Sequence, residues 1–579
     1  MDHRRDIDGL RAVAVLAVIL AHAGFGVFGG GYVGVDVFFV ISGFLITGIL
    51  IRERANGTFS FRAFYMRRIR RILPALIVVV ALCFPFAWWL MFPDFIQNFG
   101  QSAVATLLFS NNLLLAATSG YWELESEFKP LLHTWSLGVE EQFYLVFPIF
   151  FMIFSVGTRG KRWQIGAISA ACAVSLVLAE VGWRLNPDAS FYLPITRAWE
   201  LLIGALAAYL RPSGRRLERV LPTMGLVAIL ASIFLYRAET PSPSLFTLVP
   251  VAGAALILVY GQSDPVTSRL LSLRPMVAIG LISYSAYLWH QPIFAFTRVA
   301  SLSEPPLWLM GVLSIVTLGV AAVSWRFIEE PFRNRRRIGA RTVLTTTTSA
   351  TALLVAVGLV LHLNQGFPQR TFPNLTATGD VYISYNERIR QYTIDPATVG
   401  GPVDTLVIGN SFGRDVANVL LEADPDIAAG LGYIDISPAD FSQLTSVIGD
   451  DTTVVLAVQS GPVDAVVAAV DQLQGQSDRV FVFGPKDWGW NMNPFARTPL
   501  DERDEVTAIV PDEISDLNDA LLAELGDDYV DIIRLLGMPD GKHIRVFDDD
   551  GNPLSPDRRH LTRYGAILLA EQLGHLGKP

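Results

Sequence analysis

The chain has 579 residues, 51% of them hydrophobic and 17% charged, with a net charge of −9. Residues 1–363 carry 30 basic and 20 acidic side chains, and residues 364–579 carry 15 and 34. The basic half is made of short loops between apolar runs of membrane-spanning length, so no nucleic-acid partner is needed to explain it. Cys83 and Cys172 both fall in apolar runs, which leaves the acidic part without a disulfide and resting on its own core.

The first apolar run, residues 10–28, contains Arg11 and His22. At about 100° per residue, eleven residues bring both to one helix face, roughly 16 Å apart. Ionisable groups at membrane depth are costly and usually line a working cavity. Such residues argue against a cleaved signal peptide, as does the lack of a clear cleavage site. The second run, 32–51, adds Asp36 and Ser42. One buried charge can be a satisfied oddity, but two polar helices in succession point to a reaction or transport site.

Nine further runs follow, at 72–92, 137–156, 165–181, 198–210, 221–236, 246–260, 277–296, 307–327 and 343–363. Segment 101–122, interrupted by Ser110-Asn111-Asn112, reads as a re-entrant or interfacial helix. With eleven spans the Arg-rich loops share one side, the cytoplasmic one by the positive-inside rule. The C-terminal part is then delivered to the opposite side. Most of these arginines are topology signals. The dense Arg67, Arg68, Arg70, Arg71 run can also hold a phosphate-bearing donor, because guanidinium pairs bidentately with phosphate.

Other polar residues sit within or beside the runs. Glu140 and Glu141 open a helix and can orient His22 or set acceptor polarity. Arg197 and Glu200 are spaced i,i+3, as in a structural ion pair. His133 and His290 lie near Trp135 and Trp289; aromatic anchoring at the interface is the plain reading of these segments. His290 is also a cavity candidate.

Residues 364–402 read as a linker or an ordered collar. From 403 the pattern alternates buried Val/Leu/Phe strands with amphipathic helices, as in a parallel sheet within a three-layer α/β domain. Ser411 follows the first strand, where open α/β sheets place their sites. Asp557 and His560 stand three apart near the chain end. Together they fit a Ser-His-Asp site; the alternative is an N-cap serine and a surface histidine. The organisation is thus a helical membrane domain over 1–340, a linking helix at 341–363, a linker at 364–402 and an extracytoplasmic α/β domain at 403–579.

Gly409-Asn410-Ser411 with Asp557 and His560 resembles the SGNH hydrolase family, which implies a flavodoxin-like fold with those three residues as a triad. Asn410 replaces the usual Asp, and Phe412 the His that often follows the serine. Gln459, Asn491 and Asn493 are candidates for the oxyanion hole. The membrane half resembles the acyltransferase-3 family, O-antigen acetylase type. The segments are "DIDGLRAVAVLAVILAH", "GGYVGVDVFFVISGFLIT", "FYMRRIRRILPAL", "PLLHTWSLGVEEQFYLVFP", "ISYSAYLWHQPI" and "FIEEPFR". The resemblance implies a bacterial inner-membrane enzyme. It passes acetyl or another acyl group from acyl-CoA, a substrate rather than a resident cofactor, to a surface or envelope glycan such as lipopolysaccharide. No metal is expected. Arg11 can bind donor phosphate or polarise the acyl carbonyl. His22 can serve as general base or transient acyl carrier. A polytopic transporter or flippase with an appended glycan-binding domain, or an acyltransferase whose C-terminal domain is inactive, remain alternatives.

Overall fold

A computed structural model describes residues 4–118, 126–154, 160–381, 383–396, 398, 401–435, 444 and 446–576. The chain divides into two compact units. One comprises Met1–Ala87, Asn98–Arg298 and Pro305–His362; the other comprises Trp88–Gln97, Val299–Glu304 and Leu363–Pro579.

The helices in the first part of the chain are α1 (Arg5–His22), α2 (Val33–Ala55), α3 (Phe61–Leu90), α4 (Pro93–Leu107), α5 (Asn111–Thr118), α6 (Thr134–Ile153), α7 (Gly160–Leu185), α8 (Pro187–Tyr192), α9 (Pro194–Ala207), α10 (Leu221–Leu235), α11 (Leu248–Tyr260), α12 (Pro265–Leu271), α13 (Arg274–Ala300), α14 (Leu307–Ser324), α15 (Glu330–Arg333) and α16 (Ala340–Leu363). Every one of the eleven apolar runs falls on this set. Among the described residues seven helical stretches are long and apolar enough to cross a membrane, or eight if α12 and α13, bent by 60°, count as one. The runs outside that number are α1, which carries Asp6, Asp8 and Arg11, and α9 and α10, which have only 14 and 15 residues. Segment 101–122 is a broken helix. It is interrupted at Phe109, whose φ is +54°, before Asn111 starts α5. Residues 119–122 of that segment, and 158–159 of the basic loop after the fourth run, lie outside the described residues.

Close packing positions the polar side chains. A Cβ on Gly43 of α2 would lie 1.8 Å from Leu201 O, and one on Gly204 of α9 would lie 2.1 Å from Val40 O. Small residues let membrane helices approach where lipid gives no hydrophobic drive. This contact brings Asp36 of α2 to Arg197 of α9.

In the second unit, β1 (Thr405–Ile408), β2 (Leu431–Ile434), β3 (Thr453–Ala457) and β4 (Arg479–Phe483) precede β5 (Thr507–Ile509), β6 (Tyr529–Val530) and β7 (His543–Arg545). The sheet order is β2-β1-β3-β4-β6, parallel throughout, while β5 and β7 form a separate antiparallel pair. The helices are α17 (Ile383–Glu387), α18 (Ser411–Ala423), α19 (Val463–Gln474), α20 (Asp512–Leu525), α21 (Ile532–Leu536) and α22 (Arg563–Leu576). α18 packs with α22, and α19 with α20. Leu406, Ile408, Val454, Leu456, Val480 and Val482 form the buried centre.

Much of stretch 364–402 is built into this unit. Tyr385, Asn386 and Ile389 are buried. Asn418 Nδ2 donates to Tyr385 O at 3.0 Å, and Ile394 N to Tyr433 O at 2.9 Å. Segments 88–97 and 299–304 belong here as well. Phe92 N donates to Asn493 Oδ1 at 2.8 Å, Asn491 Nδ2 to Ser301 O at 2.6 Å, and Arg370 Nη2 to Met91 O at 2.6 Å.

Candidate active sites

A cavity of about 100 Å³ lies inside the helical unit, lined by Arg11, Ser42, Arg68, Arg71, Ser136, Glu140, Tyr144, Tyr284 and Tyr287. Ser42 Oγ donates to Glu140 Oε1 at 2.6 Å, and Tyr144 OH to Glu140 Oε2 at 3.2 Å. Glu140 and Tyr144 are i,i+4 neighbours, so α6 presents both on one face. The Arg68 guanidinium sits 5.4 Å from the Tyr144 ring centre. Three arginines, Arg11, Arg68 and Arg71, are among its lining, the residue type that pairs bidentately with oxyanions.

His22 is not among the cavity residues. It stands in a cluster of imidazoles: His22 Nδ1 is 2.9 Å from His290 Nε2, and the rings stack at 5.1 Å. The His133 ring lies 5.1 Å from that of His290. His290 Nδ1 lies 2.6 Å from Tyr287 O. A carbonyl only accepts, so this Nδ1 carries the proton. Neutral His290 then accepts at Nε2 from His22 Nδ1–H, which leaves His22 Nε2 as the basic nitrogen. Tyr287 connects the two places. It lines the cavity, its hydroxyl donates to His133 O at 2.9 Å and lies 2.7 Å from Ser136 Oγ, and its carbonyl holds His290.

The remaining membrane candidates sort by partner. Arg197 bonds Asp36 at 3.0 Å and Glu200 at 2.9 Å, with all three side chains almost fully buried. Its guanidinium lies 5.2 Å from the Trp135 ring centre and 4.7 Å from that of Phe191. This triad ties α2 to α9 away from the cavity lining. Arg67 pairs with Glu53 at 2.9 Å, and Arg70 donates to Phe332 O at 2.9 Å. Neither lines the cavity, whereas Arg68 and Arg71 do. Glu141 is outside the lining and within electrostatic reach of Arg68. Tyr144, Ser136, Tyr284 and Tyr287 were not anticipated. Of these, Tyr144 had a signal, its i,i+4 spacing from Glu140.

In the α/β unit, β1 ends at Ile408 and Gly409 turns the chain with a φ of +152°, which side chains resist. Asn410 caps α18, its Oδ1 accepting from Phe412 N at 2.9 Å. Ser411 is buried in the first helical turn, the positive end of the helix dipole. Asp557 Oδ2 accepts from His560 Nδ1 at 2.6 Å. Its other oxygen accepts from the N–H groups of Arg558, Arg559 and His560 at 2.7, 2.8 and 3.0 Å. Burial pushes the Asp557 carboxyl up, but His560 and those N–H groups outweigh it and hold the carboxyl well below its ordinary value. Burial disfavours the His560 cation, yet Asp557 outweighs it and the imidazole is raised above the ordinary histidine value. The Phe412 ring lies 6.2 Å from the His560 ring, which brings the start of α18 to the dyad.

The oxyanion candidates have other partners. Asn491 and Asn493 hold the 299–304 and 88–97 segments. Gln459 follows β3, the neighbour of β1, and its Nε2 donates to Lys486 O at 3.3 Å. Asn386, Asp415 and Lys486 join the site without having been anticipated. Asn386 Nδ2 donates to Ser411 O at 2.8 Å and to Asp415 Oδ1 at 2.6 Å.

The helices and the first site define a multi-pass membrane protein with a cavity inside its helical unit, where charged and hydroxyl side chains stand among apolar ones. Residues 4–326 match the family model described as an acyltransferase domain, and the chain belongs to this acyltransferase-3 family. It is 32% identical over 344 residues to the protein named peptidoglycan O-acetyltransferase OatA of Listeria monocytogenes, covering 56% of this chain and 55% of that one. It is 31% identical over 381 residues to the putative peptidoglycan O-acetyltransferase YrhL of Bacillus subtilis, covering 61% and 60%. A putative O-acetyltransferase of Staphylococcus aureus is 32% identical over 351 residues, 58% of each chain. The match therefore spans less than two thirds of each of these relatives. No solved structure matches the chain.

Proposed function

We propose that this protein takes an acyl group, acetyl foremost, from a cytosolic acyl-CoA and delivers it across the inner membrane to hydroxyls of an envelope glycan. The observation that carries this reading is the cavity where Arg11, Arg68 and Arg71 face the Ser42–Glu140 pair. The arginines hold the phosphates of the donor. His22 Nε2 serves as base or acyl carrier, reached past Tyr287. The positive-inside rule, applied to the basic loops, supports a cytosolic Met1 and donor side.

The α/β unit is proposed as the second, SGNH-like station. Ser411 Oγ attacks the arriving acyl carbonyl and gives its proton to His560 Nε2, while Asp557 steadies the imidazolium. The carrier leaves with that proton. A sugar hydroxyl then attacks the Ser411 ester, its proton passing through His560 back to Ser411 Oγ, and the glycan ester departs. Peptidoglycan is the acceptor to test first, since OatA and YrhL are named for it.

The test compares envelope glycans from cells with and without the protein by mass spectrometry. Loss of acetyl esters in its absence is expected. Unchanged esters with altered glycan export would overturn the reading in favour of a transporter.

A further inference from the structure

The Asp557–His560 pair leaves open what seats it against Ser411. Four residues after Ser411, Asp415 is fully buried, and three groups converge on its carboxylate. Leu561 N, the backbone donor directly after His560, reaches Oδ2 at 3.1 Å. Lys486 Nζ lies 2.8 Å from the same oxygen, and both side chains are 0% exposed. Asn386 Nδ2 donates to Oδ1 at 2.6 Å. The Lys486 ammonium also sits 3.9 Å from the ring centre of Phe412, the residue after Ser411. The Gln459 side chain holds the Lys486 backbone from both sides, at N and at O.

We propose that Asp415 and Lys486 are a pair of positioning residues that seat His560 beside the Ser411 helix and bias its charge in opposite directions. The inference rests on the reading of Ser411 and His560 as an acyl-transfer site. Neither residue of the pair touches the acyl group. A buried ion pair is a poor source of net stability. This one is placed where Asp415 meets the backbone next to His560 and Lys486 meets the ring next to Ser411. Asp415 favours the His560 cation, and Lys486 opposes it. The other charged groups here are Asp557 on the histidine's own loop, Arg558 and Arg559 beside it, and Asp94 and Asp487, which face Asp557.

The sign of each variant follows. Ser411 is activated only while His560 is neutral, so the rate falls at low pH as His560 gains a proton. Asp415→Asn keeps the side chain's shape and removes the negative charge, so the acid limb should move down by about one pH unit. Lys486→Met removes the positive charge and should move the limb up by a similar amount. A merely structural pair would lower the rate and leave both limbs in place.

The experiment uses the full chain in detergent and p-nitrophenyl acetate, a soluble ester that bypasses the membrane site. Rates are measured against pH for the wild type, Asp415→Asn, Lys486→Met, the double variant and Ser411→Ala. Opposite displacements in the single variants, cancelling in the double, are expected. Asp415→Ser and Lys486→Gln, which replace each buried charge with a neutral hydrogen-bonding group, stand in for a single variant that does not fold. A limb that stays put in a single variant that folds, or limbs that move the same way in the two, overturn the inference. A wild-type rate in Ser411→Ala overturns the underlying reading of the site, a separate result.

Discussion

The two units build polar sites in different ways. In the helical unit, groups from α1, α2, α3, α6 and α13 meet in one cavity, and side chains hold one another, as Ser42 and Tyr144 hold Glu140. In the α/β unit, Asp557 is held by three backbone N–H groups from its own tight turn. Membrane helices spend their backbone donors internally, so the donors of a site between them come from side chains. A loop at the end of a sheet has backbone donors to spare. The membrane site is thus a matter of helix packing, and the second site of local geometry.

The comparison can be broken most sharply at the second site. Ser411→Ala or His560→Ala is expected to cut glycan labelling by about 10⁶-fold while acetyl-CoA is still consumed. Labelled acetyl-CoA with separate counting of protein and glycan checks it, and full glycan labelling would remove the relay. At the first site, His22→Ala should lose roughly 10²–10⁴-fold in both donor use and glycan labelling. Donor use that survives in this variant would place the base elsewhere.

Packing is tested at the buried triad. Arg197→Met leaves Asp36 and Glu200 without their cation and should destabilise the helical unit by about 3–5 kcal/mol. The measurement is the thermal unfolding of the detergent-solubilised protein. Arg67→Ala removes only a partly exposed pair with Glu53 and is expected to cost about 0–1 kcal/mol, with donor use unchanged.

A smaller, pH-dependent effect sharpens the contrast. Asp557 lies below its unfolded value, so its stabilisation is present above about pH 4 and is lost as pH falls through the folded value. His560 lies above its unfolded value, so its stabilisation is full below about pH 6.5 and is lost as pH rises through the folded value. The α/β unit should melt highest in mild acid, while Ser411 chemistry should rise on the alkaline side of the His560 titration. Melting curves and ester hydrolysis across pH 4–9 should therefore trend in opposite directions around that point.

Legibility in the sequence followed the same division. Asp557 and His560 are three residues apart, and their bond is local, so the spacing announced it. Arg11 and His22 stood out against apolar neighbours, but the face they share on α1 leads to two places, the cavity and the imidazole cluster. In sequence the run Arg67–Arg71 is one block. The helical period splits it, because Arg68 and Arg71 face the cavity while Arg67 and Arg70 turn to Glu53 and Phe332. Asp36 and Arg197 are 161 residues apart, joined where Gly43 packs on Leu201 and Gly204 on Val40, a contact that no periodicity reveals. Asn386 lay in a stretch whose polar composition suggested a linker, and Lys486 followed a strand like any surface lysine. Their partners come from the fold.

The α/β unit is not one continuous piece of chain. Segments 88–97 and 299–304 complete it, through Phe92 on Asn493 and Ser301 on Asn491. A soluble fragment cut after residue 363, the natural choice for crystallisation or inhibitor screening, lacks both. It would expose two amides that are buried in the whole protein. Where water cannot replace the partners, each costs about 1–3 kcal/mol. Compounds selected on that fragment would meet a face that the intact protein covers, so hits should be ranked again on the full chain.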